Sequence, residues 1–418
     1  MPIQGGEDPT LFLESLPYSS QWNVGPVNRD NLAATAYARV RQPYIARFRT
    51  VPVPATFAVG ATNQSFLLPE SLQVMLSCYL RIDLPEIPAA GVSGQPAGAQ
   101  NMYRKFVGAR ILREVRVLSA GQQVMSCDFR DVMTDYLTNL ERSAYESFVA
   151  THLGGRETAH KDARTILLPL PLWNSAIFAR SHTGHLGAIP AAGFANNRLE
   201  FILDFADGRD LTTRATSPGA FASISVEIHE ALMPSAALRA YARQNGNYSL
   251  ISRAMRRLST TDNALYTAAQ ASADTVVTFE CASPAGSFEE IIIIAVKQGA
   301  GTIEAHDIDL FDYAIPTTMS LVCDSRNVRV LDKAKAELEM YSNGFTNNED
   351  IVVPMRFCLG SHTRAYGSSS YCGAFAFDAI SNVQVQLSFA EACYVRILGI
   401  CKARYSITTT GEVRQSLR

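Results

Sequence analysis

The stretch TILLPLPLWNSAIF, residues 165–178, has the apolar density of a buried strand and two prolines that a strand interior does not accept. Pro169 and Pro171 alternate with Leu168, Leu170 and Leu172, and Trp173 closes the run. Proline lacks the amide hydrogen that a central ladder position must donate, and its ring holds φ near about −65°. It also biases the residue before it toward extended backbone. Leu-Pro-Leu-Pro is therefore a stiff extended ribbon, and its expected place is an edge strand or bulge of a β-rich fold. Alternation predicts both proline rings on one side and the three leucines on the other.

Outward from this ribbon the chain reads mostly as strands. LQVMLSCYLRIDL (72–84), ILREVRVL (111–118), RLEFILDF (198–205) and SISVEIHE (223–230) are apolar or alternating runs in the first half. TVVTFECA (275–282), EEIIIIAVK (289–297), MSLVCD (319–324), DIVVPMRFCL (350–359), YCGAFAF (371–377), NVQVQLSF (382–389) and CYVRILGICKARYSIT (393–408) follow in the second. Period-two alternation is clearest from Val383 to Leu387, the mark of a half-buried strand. LSAGQQ (118–123) reads as a hairpin turn, and AAGVSGQPAGAQ (89–100) and TRATSPGA (213–220) as joints between strands.

Helices are the minority. In SCDFRDVMTDYLTNL (126–140), Phe129, Val132, Met133, Tyr136, Leu137 and Leu140 fall on one helical face, with Ser126 or Asp128 as the cap. DNLAATAYARV (30–40), PSAALRAYAR (234–243) and DKAKAELEMYS (332–342) are further helical stretches. So many strands with so few helices exclude a doubly wound α/β fold and predict an all-β chain of antiparallel sandwiches. The strand number suits two sandwiches of about eight strands each. The expected division is an N-terminal arm over 1–40, a first sandwich over 41–231 and a second over 232–418.

The chain has 418 residues, 47% apolar and 18% charged, enough to build large cores. No apolar run approaches the roughly 20 residues of a membrane span, and MPIQGGEDPT has no basic-then-apolar leader pattern; the expectation is a soluble, unexported protein. A net charge of −2 gives no global case for nucleic-acid binding. Charge is nonetheless uneven: Arg39, Arg41, Arg47 and Arg49 sit in a stretch, 31–69, without a single acid. The eight cysteines are scattered without a C-x-x-C pair, which predicts reduced, buried thiols.

Chemistry-bearing patterns each have a plain explanation. His182 and His185 have metal-ligand spacing but no Cys, Asp or Glu cluster beside them. HDIDLFDY (306–313) spaces two aspartates as calcium loops do, yet lacks the turn glycine and closing glutamate, and reads as a solvated strand or turn edge. Glu289 and Glu290 are adjacent, so a strand points them to opposite sides. Asp83 and Glu86 flank Pro85 without a partner carboxylate in view. No nucleophile elbow, phosphate loop or dinucleotide fingerprint occurs. Asn63 and Asn247 open Asn-x-Ser triplets, read as chance matches. No catalytic, cofactor-binding or metal-binding residue is assigned.

The segment from Leu167 to Phe205, LLPLPLWNSAIFARSHTGHLGAIPAAGFANNRLEFILDF, resembles the signature of the double jelly-roll major capsid proteins of nucleocytoplasmic large DNA viruses and their smaller relatives. There an apolar-proline ribbon with an aromatic leads into a loop, a second proline-containing turn and a strand. GARILREVRVLSAGQQVMSCDFRDVMTDYLTNL (108–140), YIARFRTVPVPATF (44–57), RFCLGSHTRAYGSSSYCGAFAFDAISNVQVQLSF (356–389) and CYVRILGICKARYSI (393–407) are similar to further parts of that family, in the same order. The resemblance implies two consecutive eight-stranded antiparallel jelly rolls. It further implies a non-enzymatic shell protein whose homotrimers form pseudo-hexagonal capsomers of an icosahedral virion. Residues 141–164 and 206–222, read as long loops, would then form outward towers or clasp neighbouring subunits. The arm and Arg39, Arg41, Arg47 and Arg49 are the candidates for an inner face meeting minor capsid proteins, an internal membrane or the genome. Two other readings stay open: a jelly-roll carbohydrate-active enzyme, which needs convergent carboxylates, and a glycan-binding protein.

Overall fold

Strand pairing in the computed structural model repeats one pattern twice. The structure describes residues 45–54, 56–87, 101–140, 142–155, 162–179, 189, 191, 198–213, 217–232, 249–281, 286–342, 352–357, 374–377, 380–408 and 411–417. In the first half the strands are β1 (Ile45–Pro52), β2 (Gln64–Leu67), β3 (Val74–Leu84), β4 (Leu112–Ser119), β5 (Gln122–Asp128), β6 (Arg164–Pro169), β7 (Leu199–Phe205) and β8 (Ser223–Leu232). They form two four-stranded sheets in the orders β1-β8-β3-β6 and β2-β7-β4-β5. First pairs with eighth, second with seventh, third with sixth and fourth with fifth, all antiparallel. That is one long hairpin wrapped into a sandwich, the jelly roll.

The second half repeats it. β9 (Ser249–Arg257) and β10 (Ala264–Tyr266) share the first position; β11 (Val277–Cys281), β12 (Ser287–Lys297), β13 (Pro316–Cys323) and β14 (Arg326–Asp332) follow. β15 (Val353–Arg356) and β16 (Phe375–Ala376) share the sixth position, then come β17 (Val383–Phe389) and the long β18 (Cys393–Ile407). One sheet runs β10-β18-β12-β15 with β9 and β16 attached, the other β11-β17-β13-β14. A final strand, β19 (Val413–Leu417), extends the first of these sheets by pairing with residues 403–407 of β18.

Seven helices lie among the described residues: α1 (Val107–Ile111), α2 (Phe129–Asn139), α3 (Arg142–His152), α4 (Ala176–Ala179), α5 (Gly208–Leu211), α6 (Ala268–Ser272) and α7 (Lys333–Ser342). α2 starts where its sequence says it should. The Asp128 carboxylate accepts from the backbone amides of Arg130 at 3.0 Å and Asp131 at 3.3 Å, satisfying donors that a helix start leaves orphaned. α3 replaces part of the loop expected over 141–164. Its Tyr145 and Val149, with Leu153 just beyond, are buried, and the spacing of four keeps them on one face against the core. The expected helices over 30–40 and 234–243 lie outside the described residues, as do Arg39 and Arg41.

The proline ribbon takes its expected place at an edge. Among the described residues β6 pairs only with β3, Leu80 opposite Leu168 and Tyr79 opposite Pro169, and Pro169 ends the strand. Leu170 still donates its amide to the Cys78 carbonyl at 2.9 Å. The expected division into a proline side and a leucine side does not become a wet and a dry side. Pro169 and Pro171 are buried like Leu168, Leu170 and Leu172, and the strand packs against α1 and α3 of the same jelly roll.

Candidate functional site

The two jelly rolls meet across a joint that contains several buried charged and aromatic side chains, within an apolar core continuous between them. Continuous burial from Phe288 to Val296 shows that both faces of β12 are covered, since successive strand residues point to opposite sides. One face lies over the second sandwich's own core. Among the elements that reach this sheet from the first half is α2: Asp131 Oδ1 lies 2.9 Å from Arg396 Nη2, and Thr134 Oγ1 is 2.8 Å from the Tyr313 hydroxyl.

HDIDLFDY is the second component, and the solvated turn edge expected of it forms only in part: Asp307 and Asp312 are exposed. Ile308, Phe311 and Tyr313 are buried. Phe311 meets Phe106 edge to face at 5.6 Å, and the fully buried Arg110 guanidinium lies 4.8 Å from the Phe311 ring centre while bonding Asp309. Arg104 donates to the Thr212 carbonyl at 2.7 Å and to the His306 carbonyl at 2.8 Å, and also to that of Ile308. His306 Nδ1 is 2.7 Å from Asp210 Oδ1. The cause of the difference is tertiary. An aspartate that looks like a solvent residue becomes a partly buried one because Arg110, 199 positions away, neutralises it. Burial alone would raise the Asp309 carboxyl, but the Arg110 guanidinium outweighs it and holds it below the usual carboxylate range.

Trp173, at the end of the proline ribbon, stacks on Tyr405 with ring centres 4.9 Å apart and planes 12° apart. Val413, at the start of β19, donates its amide to Ser119 Oγ at 3.0 Å. Arg253 on β9 donates to the Phe178 carbonyl at 3.3 Å while pairing with Glu289, which Lys402 also approaches at 3.0 Å. Glu290 has a separate partner, Arg356, at 3.2 Å. The adjacent glutamates thus serve different cations and do not converge on one site.

Arg47 and Arg49 lie on β1, at the free edge of the first sheet. Arg47 Nε is 2.6 Å and Arg49 Nη1 3.7 Å from the carboxylate of Glu230, which is wholly buried on β8. Arg49 also donates to Ser71 Oγ at 2.7 Å. Asp83 accepts from Thr165 at 2.6 Å and from Ser223, and these hydroxyls hold its carboxyl below the ordinary range. The six described cysteines are free, and burial pushes the Cys281 thiol up to about 12 and that of Cys401 up to about 11. Among the described residues no three His, Cys, Asp or Glu side chains are grouped as a metal ion requires, and no helix is long and apolar enough to cross a membrane. His182, His185 and Asn247 lie outside the described residues.

Strand order defines the class: a double jelly roll, two sandwiches in one chain. Known structures share this fold. VP54 of PBCV-1, in a form fitted into a reconstruction of the virophage Sputnik, superposes with a TM-score of 0.64 at 8% identity, covering 90% of this chain and 97% of VP54. The Faustovirus major capsid protein gives 0.60 at 9% identity, over 87% of this chain and 90% of its own. For the mavirus major capsid protein the values are 0.55, 12%, 88% and 90%. No protein-family model and no curated sequence matches the chain. At such low identity the likeness is one of fold.

Proposed function

We propose that this protein is the major capsid protein of a DNA virus, a structural component of the virion with no catalytic role. The observation that carries the reading is the double jelly roll over nearly the whole chain, matched along its length by viral major capsid proteins. Under it the chain divides into an arm over 1–40, a first jelly roll over 41–231 and a second over 232–418. Three copies would place six sandwiches around an axis, giving a pseudo-hexagonal capsomer that tiles an icosahedral shell. Self-association is supported by β14, an edge strand with Val328 43% and Val330 56% exposed, next to Leu338 of α7 at 68%. Open apolar edges of this kind invite pairing unless a neighbour covers them.

The arm and Arg39, Arg41, Arg47 and Arg49 are our candidates for contacts with minor capsid proteins, an internal membrane or the genome; Arg47 stays half-exposed while it holds Glu230, and Arg49 also bonds Ser71. Deleting residues 1–30 should spare trimers and impair shell assembly. The primary test is native mass and electron microscopy of the purified protein. A compact trimer with a six-lobed outline is expected. A stable monomer, or one that cleaves glycans, would overturn the proposal.

A further inference from the structure

Where α2 faces β18, two carboxylates converge on one guanidinium. Asp131 Oδ1 is 2.9 Å from Arg396 Nη2, and Asp128 Oδ2 is 3.7 Å from Arg396 Nη1. All three side chains are largely shielded from water, Asp131 most of all. Their other support is unequal. Asp128 also has Arg130 at 3.5 Å and two backbone amides. Asp131 has Arg396 as its close cation, with Arg130 and Arg257 of β9 acting at longer range. Further groups near the cluster are the Tyr313 phenol, bonded to Thr134 and acted on by Arg110 of α1, the Cys127 thiol beside Asp128, acted on by Glu114 of β4, and Asp210 of α5, which acts on Arg130. Burial pushes both the phenol and the thiol up, so they stay neutral through the physiological range. Two like charges in a dry site oppose each other's ionisation, and the less supported one yields.

We propose that this cluster is a proton-operated latch between the two jelly rolls: Asp131 takes up one proton, Asp128 keeps Arg396, and the joint tightens. Burial, reinforced by Asp128 and opposed by Arg396, pushes the Asp131 carboxyl up to about 6, from 3.8 for the free group. For Asp128, Arg130 and Arg396 outweigh burial and hold the carboxyl below its ordinary value. The sign follows from proton linkage. Between these two Asp131 values the closed joint binds more protons than the open chain, so it gains stability as pH falls through about 6. Below about 4 the trend reverses, as Asp128 and Asp309 lose their charges. A surface salt bridge would show no such gain on mild acidification. The latch belongs to the single chain and does not depend on assembly.

Hydrogen exchange of the full-length protein between pH 5 and 7.5, corrected for intrinsic rates, tests the latch at the amides of α2 and β18. Wild type should gain on the order of tenfold protection at pH 5; a shift of about two pKa units caps the effect near roughly 100-fold. Asp131→Asn should abolish the gain, while Asp131→Glu, which keeps a titrating carboxyl, should retain it. Wild-type protection that is flat or falls toward pH 5, or a gain that survives Asp131→Asn, overturns the proposal. Should Asp131→Asn fail to fold, the aspartate carboxyl carbon shifts of the wild type decide: a midpoint near 6 supports the latch, and midpoints all below about 4.5 refute it.

Discussion

At the scale of single residues, the joint adds buried ion pairs and a ring stack to an apolar core shared by both halves. Trp173 is buried and stacked on Tyr405, so Trp173→Ala removes both packing and the aromatic contact across the joint. The expected loss is about 3–5 kcal/mol in urea unfolding. Arg47→Ala leaves the buried Glu230 carboxylate with Arg49 alone, at 3.7 Å. Since Arg47 is half in water, solvent screening reduces the cost to about 1–2 kcal/mol, measured in the same experiment. The sequence shows Trp173 as an apolar residue and the four arginines as a basic patch. It does not show that Arg47 and Arg49 share an acid 180 positions away, because a non-local ion pair leaves no periodic trace in the chain. The capping role of Asp128 was legible, being local; its second role, facing Arg396, was not.

At the scale of elements, local rules hold wherever neighbours decide the conformation. Residues 118–123 form the expected hairpin turn between β4 and β5, with Ala120 at φ 52° and Gly121 at φ 76°. Two successive left-handed residues suit Asn-Gly better than Ala-Gly. Ala120→Asn should therefore raise stability by about 0.5–1 kcal/mol, read as a higher midpoint with an unchanged denaturant slope. On β18, a side chain at Gly399 would run into the Phe288 ring. Gly399→Ala should cost about 1–3 kcal/mol through overpacking, visible as a lower thermal midpoint. Tyr145 and Val149 of α3, with Leu153 just beyond it, form a stripe at a spacing of four that the sequence itself carries. Strands β14 and β19 are harder: RNVRVLD and VRQSL have little apolar alternation, and pairing to a neighbour makes them strands.

For the whole molecule, the jelly-roll order was reachable only through resemblance. Period-two runs announce strands but do not say that the first pairs with the eighth. Acid should uncouple the molecule in a defined order. Asp309 and Asp128 have depressed carboxyl values, so their contribution is present above about 4 and is lost as pH falls below it. Unfolding midpoints followed from pH 5 to pH 2 should drop steeply, and Asp309→Asn should lower the midpoint at pH 5 while flattening that drop. An equal drop in the variant would show that the clasp around Arg110 contributes nothing to acid sensitivity.

The bond from Val413 to Ser119 joins residues 294 apart in sequence. During synthesis, at roughly 5–20 residues per second, Ser119 waits on the order of 15–60 s before that contact can form. Through this interval the joint face of α2 and the Trp173 end of the ribbon emerge from the ribosome without their cover. A chain of this design is therefore exposed to misassociation while it is still being made, and it depends on translation speed or a chaperone in proportion to that delay.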